Sequence, residues 1–558
     1  LDEADRDFLR EGLPVFLEKI DRQNRLAELT DFSQWKKISG KTYEERQKHK
    51  PMRLTMREFR LGKWVGDGGI FADVVTDDYN HTAGLVNTGD DRLKIPHWQN
   101  KAFCAPCEAA CPSSIPTQDR INLLREGKYK EAIELVLQYS PFPSSVCGEV
   151  CPNPCMDACT RQYIDLPVSM QALGKLSQDA ESPVPKADSG KKVAIIGGGP
   201  GGLSAAWHLR LLGHGATIIE ADKEVGGKLR QVIPTDRLPA DALNTEVQRI
   251  KDMGVAVQTN APVDKAMFEK LQKDFDAIVI ASGAHNPVVI PFPGHERLVK
   301  GLDFLKKVNN GENPAVGEKV VVIGAGNAGM DVCLGAYAMG AKQVTAIDIQ
   351  RPAAFKKEID HFERLGGKIE WPVFTEKVNE KGLHTKDGRV IEADTVIISI
   401  GERPDLSFIP REWLTERGMA AVDDCGQLTK APGVFAIGDT VEPGLLTHAI
   451  GHGRETAEYI DELLAGNQLK AKKKLPQISQ DCLSKELFRP HNRSRFNFTD
   501  ATKETNRCIS CGTCRDCGMC LEACPEGAIR REDCKDGSFE YISDDHICIG
   551  CGICTGMC

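Results

Sequence analysis

The chain has 558 residues, enough for about four domains, and its apolar runs have the length of β-strands rather than of membrane spans. Its formal net charge of -9 makes nucleic acid and anionic membranes unsuitable partners. No signal peptide is visible. Residues 1–95 are charged and carry no chemical motif, which predicts an N-terminal extension that wraps a later domain or docks a partner.

The 21 cysteines are unevenly distributed, and this distribution predicts metal binding. Seven lie between Cys104 and Cys159, and eleven lie between Cys508 and Cys558. Disulfide frameworks are typical of small secreted chains, whereas this chain is long and carries glycines of the kind found at nucleotide sites. The bunched cysteines therefore favour metal centres in a reducing cytoplasm.

Residues 96–185 are predicted to form an α-helical iron–sulfur domain, with an amphipathic helical segment over 119–139. Dense thiolates punctuated by Cys-Pro favour a cubane cluster, and structural zinc is the alternative. The candidate ligands are Cys104, Cys107, Cys111, Cys147, Cys151, Cys155 and Cys159. Two [4Fe–4S] clusters need eight terminal ligands, and this region supplies only seven thiols. Either one cluster has a non-cysteine ligand, for which Gln171 is a candidate, or only one cluster forms.

After a linker over 182–190, the predicted domain 190–295 opens on a strand, a glycine turn, a helix and a second strand. The turn holds Gly197, Gly199 and Gly202 at G-x-G-x-x-G spacing, and the second strand ends at Glu220. Such glycines permit a tight turn, a close approach to a pyrophosphate and close packing of helix on strand, while the acid accepts hydrogen bonds from a ribose. Further candidates for contact with this cofactor are Gly227, Arg237 and Gly283.

A second copy of the same motif lies in the predicted domain 296–415, with Gly324, Gly326 and Gly329 followed by a strand that ends at Asp348. Two copies imply two nucleotide sites, and a tightly held flavin with an exchangeable nicotinamide is the economical pairing. A degenerate structural copy is the alternative. A carboxylate at the position of Asp348 favours NAD over NADP, although Arg351 and Lys356 lie near enough in sequence to support NADP.

The predicted domain 416–468 returns to the flavin site. A short strand ends at Gly438 and Asp439 and is followed by a helix, which suits a carboxylate that binds a polyol chain.

A linker over 469–503 leads to the predicted domain 504–558, which carries two C-x2-C-x2-C-x3-C motifs. Such paired runs bind two [4Fe–4S] clusters, and the last cysteine of each run crosses to the other cluster. The motif cysteines are Cys514, Cys517, Cys520, Cys524, Cys548, Cys551, Cys554 and Cys558. Cys508, Cys511 and Cys534 have no role in this pattern.

From Cys104 to about Leu464 the chain resembles the small subunit of glutamate synthase, the large subunit of NADH-dependent ferredoxin:NADP transhydrogenase and the amino-terminal half of dihydropyrimidine dehydrogenase. The resemblance is carried by VCPNPCMDAC, VAIIGGGPGGLSAA, VGGKL with RLP, VVVIGAGNAGMD and GVFAIGDT. It implies an α/β fold with two Rossmann-like domains, in which an NAD domain is inserted in an FAD domain. The order is then a helical iron–sulfur domain, this pair and a bacterial-type 2[4Fe–4S] ferredoxin domain.

The resemblance implies that FAD binds at the first fingerprint with Gly227 and Asp439, and that a nicotinamide nucleotide binds at the second. Members that use NADPH usually show two adjacent arginines where this chain has Ile349 and Gln350, which supports NADH. Cys104 and Cys107 are spaced differently from the family's longer pattern. With its ferredoxin tail, the chain also resembles the flavoproteins linked to dissimilatory sulfite reductase.

These patterns predict an enzyme that exchanges a hydride between NAD(H) and FAD and passes single electrons through [4Fe–4S] clusters to or from a protein partner. No acid–base catalytic residue is predicted, because the chemistry belongs to the cofactors. The expected partner is ferredoxin or a dissimilatory sulfite reductase, and a homodimer is compatible with the sequence.

Three other functions share some of these sequence features. A thioredoxin-reductase-like enzyme is rejected, because no cysteine lies between the two fingerprints and Cys333 and Cys425 stand alone. A glutamate synthase small subunit and a non-enzymatic electron-wiring subunit remain as alternatives.

Overall fold

The computed structural model describes residues 104–177, 180–478, 501–512, 514, 518–533, 539–544, 547, 548, 551 and 553–556. The predicted extension over 1–95 and the candidate ligands Cys517 and Cys558 lie outside the described residues, as do Cys482 and Cys534. The described residues divide into two units. The larger contains residues 106–474 and 501–509 apart from 178 and 179, and the smaller contains 104, 105, 475–478 and the residues described beyond 509.

The larger unit begins with a helical domain. Its elements are α1 (Pro106–Ala109), α2 (Thr117–Arg125), α3 (Tyr129–Leu137), a π-helix (Pro143–Val150), α4 (Pro154–Asp157), a 3-10 turn (Thr160–Tyr163) and α5 (Met170–Lys175). The helical segment predicted over 119–139 is broken into α2 and α3 at Gly127, whose φ is 73°. That left-handed conformation suits glycine and ends a helix.

A parallel sheet follows. The chain segment that forms its first four strands, with the helices between them, contains β1 (Lys192–Ile196), α6 (Pro200–Leu211), β2 (Gly215–Ile219), α7 (Lys228–Gln231), α8 (Ala240–Asp252), β3 (Ala256–Gln258), α9 (Lys265–Asp274) and β4 (Ala277–Ile280). Strand β1 pairs in parallel with both β2 and β4, so that Ile195 lies opposite Ile218 and Val279. Residues 193–196 and the whole of β4 are buried, as continuous apolar runs in parallel sheets are expected to be.

A second domain is inserted after β4. It contains β5 (Asn286–Pro287), a 3-10 turn (His295–Arg297), β6 (Val299–Lys300), α10 (Gly301–Asn309), β7 (Lys319–Ile323), α11 (Asn327–Ala338), β8 (Gln343–Ile347), α12 (Lys356–Arg364), β9 (Lys368–Glu370), β10 (Thr375–Asn379), β11 (Gly382–Thr385), β12 (Val390–Glu392), β13 (Thr395–Ile398) and β14 (Glu402–Arg403). Five strands form a parallel sheet in the order β6-β13-β7-β8-β9, and β10-β11-β12 form a small antiparallel sheet. The short strands β5 and β14 pair with each other where the chain enters and leaves the domain.

The chain then completes the first sheet. A 3-10 turn (Arg411–Trp413), β15 (Val434–Ala436), a 3-10 turn (Gly438–Thr440), α13 (Leu446–Leu464) and α14 (Ala501–Asn506) follow in the larger unit. Strand β15 joins the edge of β4, so the sheet order is β15-β4-β1-β2-β3. Helices α6 and α13 pack closely because Gly453 faces the backbone of Gly201, and Ser204 Oγ donates a hydrogen bond to Ile450 O at 2.7 Å.

In the smaller unit the described elements are α15 (Met519–Ala523), β16 (Ile529–Asp533), β17 (Phe539–Ser543) and α16 (Ile553–Gly556). Strands β16 and β17 form an antiparallel hairpin in which Arg531 lies opposite Tyr541. Within the described parts of both units, no helix is long and apolar enough to cross a membrane. The predicted α/β class is confirmed, with one parallel-sheet domain inserted in another after a helical domain.

Candidate cofactor sites

The first glycine turn joins β1 to α6, and its three glycines differ in what surrounds them. Gly197 has a φ of 103°, and a Cβ there would lie 2.5 Å from Ala281 O. A Cβ on Gly202 would overlap Gly197 O, because helix and strand approach closely at this point. A Cβ on Gly199 would meet no protein atom within 4 Å. The fold therefore requires two of these glycines, whereas Gly199 faces space open to a ligand.

Glu220 closes this unit at the end of β2. Its Oε2 accepts a hydrogen bond from Gly198 N at 2.6 Å, and its Oε1 accepts one from Asp222 N at 2.9 Å. The carboxylate is buried and thereby held beside the glycine turn, where it can meet the ribose of a dinucleotide.

A cavity of about 390 Å³ opens above the carboxyl ends of β1, β4 and β15. The sequence-predicted residues that line it are Gly197, Gly199, Glu220, Gly227, Gly283, Gly438 and Asp439. The cavity lies where open α/β sheets bind their ligands, and its volume falls within the usual range for a small-molecule site. Residues spread over more than 240 positions thus meet at one site.

The other residues that line this cavity include Lys228, His285 and Lys306, to which the sequence analysis gave no role. Lys228 Nζ lies 2.7 Å from Asp439 Oδ2, so the carboxylate is already engaged by a cation. Burial lowers the pKa of His285 to about 4, which leaves its imidazole neutral at physiological pH. No sequence motif marks His285, since its role depends on the turn after β4.

Arg237, predicted to contact the first cofactor, does not line the cavity. It forms ion pairs with Asp331 on α11 and, at 3.2 Å, with Glu358 on α12. Burial raises the pKa of Asp331 to about 6, while the nearby Arg237 guanidinium acts in the opposite direction. Arg237 therefore connects the first domain to the inserted one.

The second glycine turn repeats the geometry of the first. Gly324 has a φ of 113°, a Cβ on Gly329 would overlap Gly324 O, and a Cβ on Gly326 would meet no protein atom within 4 Å. Asp348 Oδ2 accepts a hydrogen bond from Ala325 N at 2.9 Å, and its Oδ1 accepts one from Gln350 N at 3.1 Å. The turn and its acid are thus intact, as a functional nucleotide site requires.

The surroundings of Asp348 bear on nucleotide choice. Ile349 is 61% exposed, and Gln350 and Arg351 are also exposed. Lys356 Nζ lies 2.8 Å from both carboxylate oxygens of Asp360, in an exposed ion pair. Of the two cations considered for a 2′-phosphate, one is therefore held by an acid on its own helix.

Four cysteines of the helical domain line one small cavity: Cys111, Cys147, Cys151 and Cys155. Burial raises the pKa of Cys147 to about 12 and that of Cys151 to about 11. Asn153, in a left-handed conformation, donates its backbone N–H to Cys151 Sγ at 3.3 Å. Four thiols around one cavity match the number that a cubane cluster needs, because each of its irons takes one terminal ligand.

Arg120, on α2, supplies a positive charge beside this cavity and was not singled out from sequence. Its side chain is buried, and its Nη2 donates to Leu173 O at 2.6 Å. The charge acts on the thiols of Cys147 and Cys155. A buried guanidinium next to buried thiols is explained if those thiols carry negative charge, as cluster ligands do.

Two other predicted ligands in the larger unit, Cys107 and Cys159, do not line that cavity. Burial is the main cause that raises the pKa of the Cys107 thiol, and the nearby Cys159 acts in the same direction. Cys104 belongs to the smaller unit, where its backbone forms a bridge with Gln477. The Gln171 side chain donates to Glu149 O at 3.4 Å.

In the smaller unit, cysteines of the two tail motifs pack in one hydrophobic cluster of side chains. Cys520, from the first motif, and Cys554, from the second, are buried together with Ile529 and Tyr541. Cys514 and Cys524 pack against the same cluster, and Cys548 and Cys551 are half-buried. Close association of the two motifs is what an exchange of their last ligands needs.

Two family models match different parts of the chain. Residues 191–453 match the family model of pyridine nucleotide-disulphide oxidoreductases, and residues 100–184 match that of dihydropyrimidine dehydrogenase domain II with its 4Fe-4S cluster. The chain is 31% identical over 430 residues to the NADPH-Fe(3+) oxidoreductase subunit beta of Geobacter sulfurreducens, covering 65% of this chain and 64% of the relative.

Two further relatives and a solved structure extend the comparison. Identity is 32% over 454 residues with the NADP(+)-dependent formate dehydrogenase subunit beta of Moorella thermoacetica, covering 68% of this chain and 64% of that one. It is 29% over 381 residues with the NAD-dependent dihydropyrimidine dehydrogenase subunit PreT of Escherichia coli K12, covering 65% and 92%. Lactococcus lactis thioredoxin reductase aligns at 19% identity with a TM-score of 0.41, covering 50% and 99%.

The match thus spans less than two thirds of the Geobacter and Moorella relatives. The predicted enzyme class is confirmed, as are the predicted kinds of cofactor: FAD, a nicotinamide nucleotide and a 4Fe–4S cluster. Two regions of the chain thus match oxidoreductase family models: a 4Fe–4S domain and, after it, a pyridine nucleotide-disulphide oxidoreductase region.

Proposed function

We propose that the protein exchanges a hydride between NAD(H) and FAD and passes single electrons through [4Fe–4S] clusters to or from a protein partner. The observation that carries the proposal is the repeated site geometry. Two glycine turns, each with a ligand-sized opening at the middle glycine and a strand-end acid hydrogen-bonded to the turn, occur in two domains of one chain. This is the arrangement that two dinucleotides require.

FAD is assigned to the 390 Å³ cavity of the first domain. Gly199 leaves room for the pyrophosphate at the start of α6, Glu220 accepts hydrogen bonds from the ribose, and Asp439 binds the polyol chain. The flavin supplies the step between hydride transfer and single-electron transfer. The protein's part is to bind, orient and exclude water, and neutral His285 and the Lys228–Asp439 pair contribute to this at the cavity wall.

NADH is the proposed nucleotide. Asp348 occupies the position that accepts hydrogen bonds from a 2′-hydroxyl and repels a 2′-phosphate. The exposed residues that follow it are Ile349 and Gln350, neither of which carries a positive charge. Of the relatives compared, two have NADP or NADPH in their names and one has NAD. Because the names of these relatives differ in the nucleotide, the proposed preference of this chain for NADH rests on its own residues at the end of β8.

The proposed partner is a one-electron redox protein, with ferredoxin or a dissimilatory sulfite reductase as candidates. The relatives compared are named as oxidoreductase subunits, which supports a partner chain. Thiol-rich cluster motifs favour a reducing, cytoplasmic location. A glutamate synthase small subunit is the second candidate function, and co-purification with a glutaminase subunit would favour it.

The test is anaerobic stopped-flow reduction of the purified chain by NADH and, separately, by NADPH, followed through bleaching of the flavin's visible band. We expect fast bleaching by NADH and slow bleaching by NADPH. Asp348→Asn should narrow this difference by at least about tenfold, and Glu363→Gln, which removes another exposed charge on α12, should leave it unchanged. Preference for NADPH would overturn the nucleotide assignment, and no bleaching by either would favour an electron-wiring subunit.

A further inference from the structure

Cys508 lies upstream of the two tail motifs in sequence, yet the structure groups it with the helical domain. It lies two residues beyond the end of α14, whose Thr505 is fully buried, and Cys508 itself is buried. Residues 501–509 belong to the larger unit together with the helical domain, whereas the chain from residue 510 belongs to the smaller unit. The segment therefore returns to the first cysteine-rich domain over almost 350 positions.

Buried polar contacts hold this segment in place. Glu504 Oε1 accepts hydrogen bonds from Ser169 N at 2.7 Å and from Arg507 Nη1 at 2.7 Å. Arg507 Nη2 in turn lies 2.8 Å from Asp165 Oδ1. Glu504 is 3% exposed and Arg507 is 7% exposed, so this is a desolvated network rather than a surface contact.

Arg125 on α2 binds the backbone on either side of the same turn. Its Nε donates to Thr505 O at 3.1 Å, and its Nη2 donates to Cys508 O. Both ends of the turn that presents the Cys508 side chain are thus positioned by one helix of the iron–sulfur domain.

The Cys508 thiol points toward ligand candidates of that domain. The side-chain amide nitrogen of Gln118 lies 3.7 Å from Cys508 Sγ and 3.9 Å from Cys107 Sγ, so one amide group contacts both sulfurs. Cys107 and Cys159 both lie close enough to Cys508 to interact with it electrostatically. Three thiols from distant parts of the chain thus lie near one another, and none of them lines the four-cysteine cavity.

The pocket also contains an unpaired polar atom. Gln118 is 2% exposed, and its Oε1 is buried without a hydrogen-bond partner. A buried amide oxygen without a partner is costly, so the orientation of this side chain, with its amide nitrogen toward the two sulfurs, requires a cause. Its amide N–H groups donate toward sulfur, as donors around iron–sulfur clusters do.

We propose that Cys508 is a ligand of a second [4Fe–4S] cluster in the helical domain, shared with Cys107 and Cys159, with Gln118 as a hydrogen-bond donor to its thiolates. The proposal assigns three of the four terminal ligands. It resolves why the first cysteine-rich region is one thiol short, because a ligand arrives from the carboxy-terminal side of the flavin domain. This proposal rests on the part of the proposed function that places [4Fe–4S] clusters in the helical domain, and it does not depend on whether the nucleotide is NADH or NADPH.

The test uses the full chain, purified anaerobically, with iron and acid-labile sulfide measured per flavin and EPR spectra recorded after dithionite reduction. Cys508→Ala should lose about four irons and one cluster signal. The matched control is Cys425→Ala, which changes a buried cysteine of the flavin domain and should retain both. Unchanged iron and EPR spectra in Cys508→Ala would overturn the proposal.

A second variant identifies which cluster is affected. Cys514→Ala should remove a signal of the ferredoxin tail, and the signal missing in Cys508→Ala should be a different one. If the two variants lack the same signal, Cys508 belongs to the tail and the proposal is wrong. Should Cys508→Ala not fold, Cys508→Ser must shift the g-values of one cluster, and an unaltered spectrum would overturn the proposal. Flavin bleaching by NADH in the same samples reports separately on the proposed function.

Discussion

The backbone N–H of Ser144 donates a hydrogen bond to Glu246 Oε1 at 2.7 Å. Ser145 donates to Glu246 Oε2 through both its backbone and its hydroxyl group. Glu246 lies on α8 of the flavin domain, whereas Ser144 and Ser145 begin the π-helix that carries Cys147. A carboxylate from one domain therefore satisfies the otherwise unpaired N–H groups at the helix start in another.

This contact predicts a pH-dependent stability. Burial raises the pKa of Glu246 to about 7, against an ordinary value near 4.3. The folded state then holds a proton that the unfolded state releases, so stability should fall as the pH rises from about 4.5 to 7 and be level above that range. Glu246→Gln should remove this slope, measured as the denaturation midpoint at several pH values. Exposed Glu376 provides the control, because Glu376→Gln should keep the wild-type slope.

Substitution of the middle glycine is expected to affect FAD content in the first turn and reduction by NADH in the second. Neither Cβ would touch protein, so Gly199→Ala and Gly326→Ala should both fold. A methyl group in the space for a pyrophosphate should weaken binding by about 1–3 kcal/mol. Gly199→Ala should thus be purified with little FAD, while Gly326→Ala should keep its FAD and be reduced more slowly by NADH. Equal flavin content in the two variants would contradict the assignment of the sites.

Substitution of Arg237 tests whether this residue contacts the flavin or instead stabilises the fold through its ion pairs with the inserted domain. If its main role is to pair with Asp331 and Glu358, Arg237→Met should leave those two acids unpaired and lower the free energy of unfolding by about 2–3 kcal/mol. FAD content should be unchanged. Arg297→Met, which removes an exposed ion pair with Glu380, should cost less than about 1 kcal/mol. Loss of FAD without loss of stability would instead favour a flavin contact.

Arg120 is expected to tune the cluster at the four-cysteine cavity. Its positive charge near Cys147 and Cys155 stabilises the reduced, more negative state. Arg120→Gln should therefore lower the reduction potential of that cluster by an amount on the order of tens of millivolts, measured by EPR-monitored redox titration. Arg364→Gln, at an exposed position on α12, should leave the potential unchanged. A raised potential in the Arg120 variant would contradict this interpretation.

Local patterns predicted much of the fold. The two glycine turns, their flanking strands and the acids Glu220 and Asp348 are contiguous in sequence, so spacing alone identifies them. The same holds for the two tail motifs. The boundary between α2 and α3 at Gly127 was missed, because a glycine inside an amphipathic pattern does not by itself reveal its backbone conformation.

What the sequence by itself determined is therefore the chemistry: two dinucleotide turns, clustered thiols and the order of the domains. Only the tertiary structure decided which distant residues meet. It brought Asp439 to Lys228 and placed Arg237 against the inserted domain. It also grouped four cysteines around one cavity and set Cys508 beside Gln118. The physical reason is that local motifs depend on backbone geometry over a few residues, whereas these partners are selected by packing and by burial of charge between segments far apart in the chain.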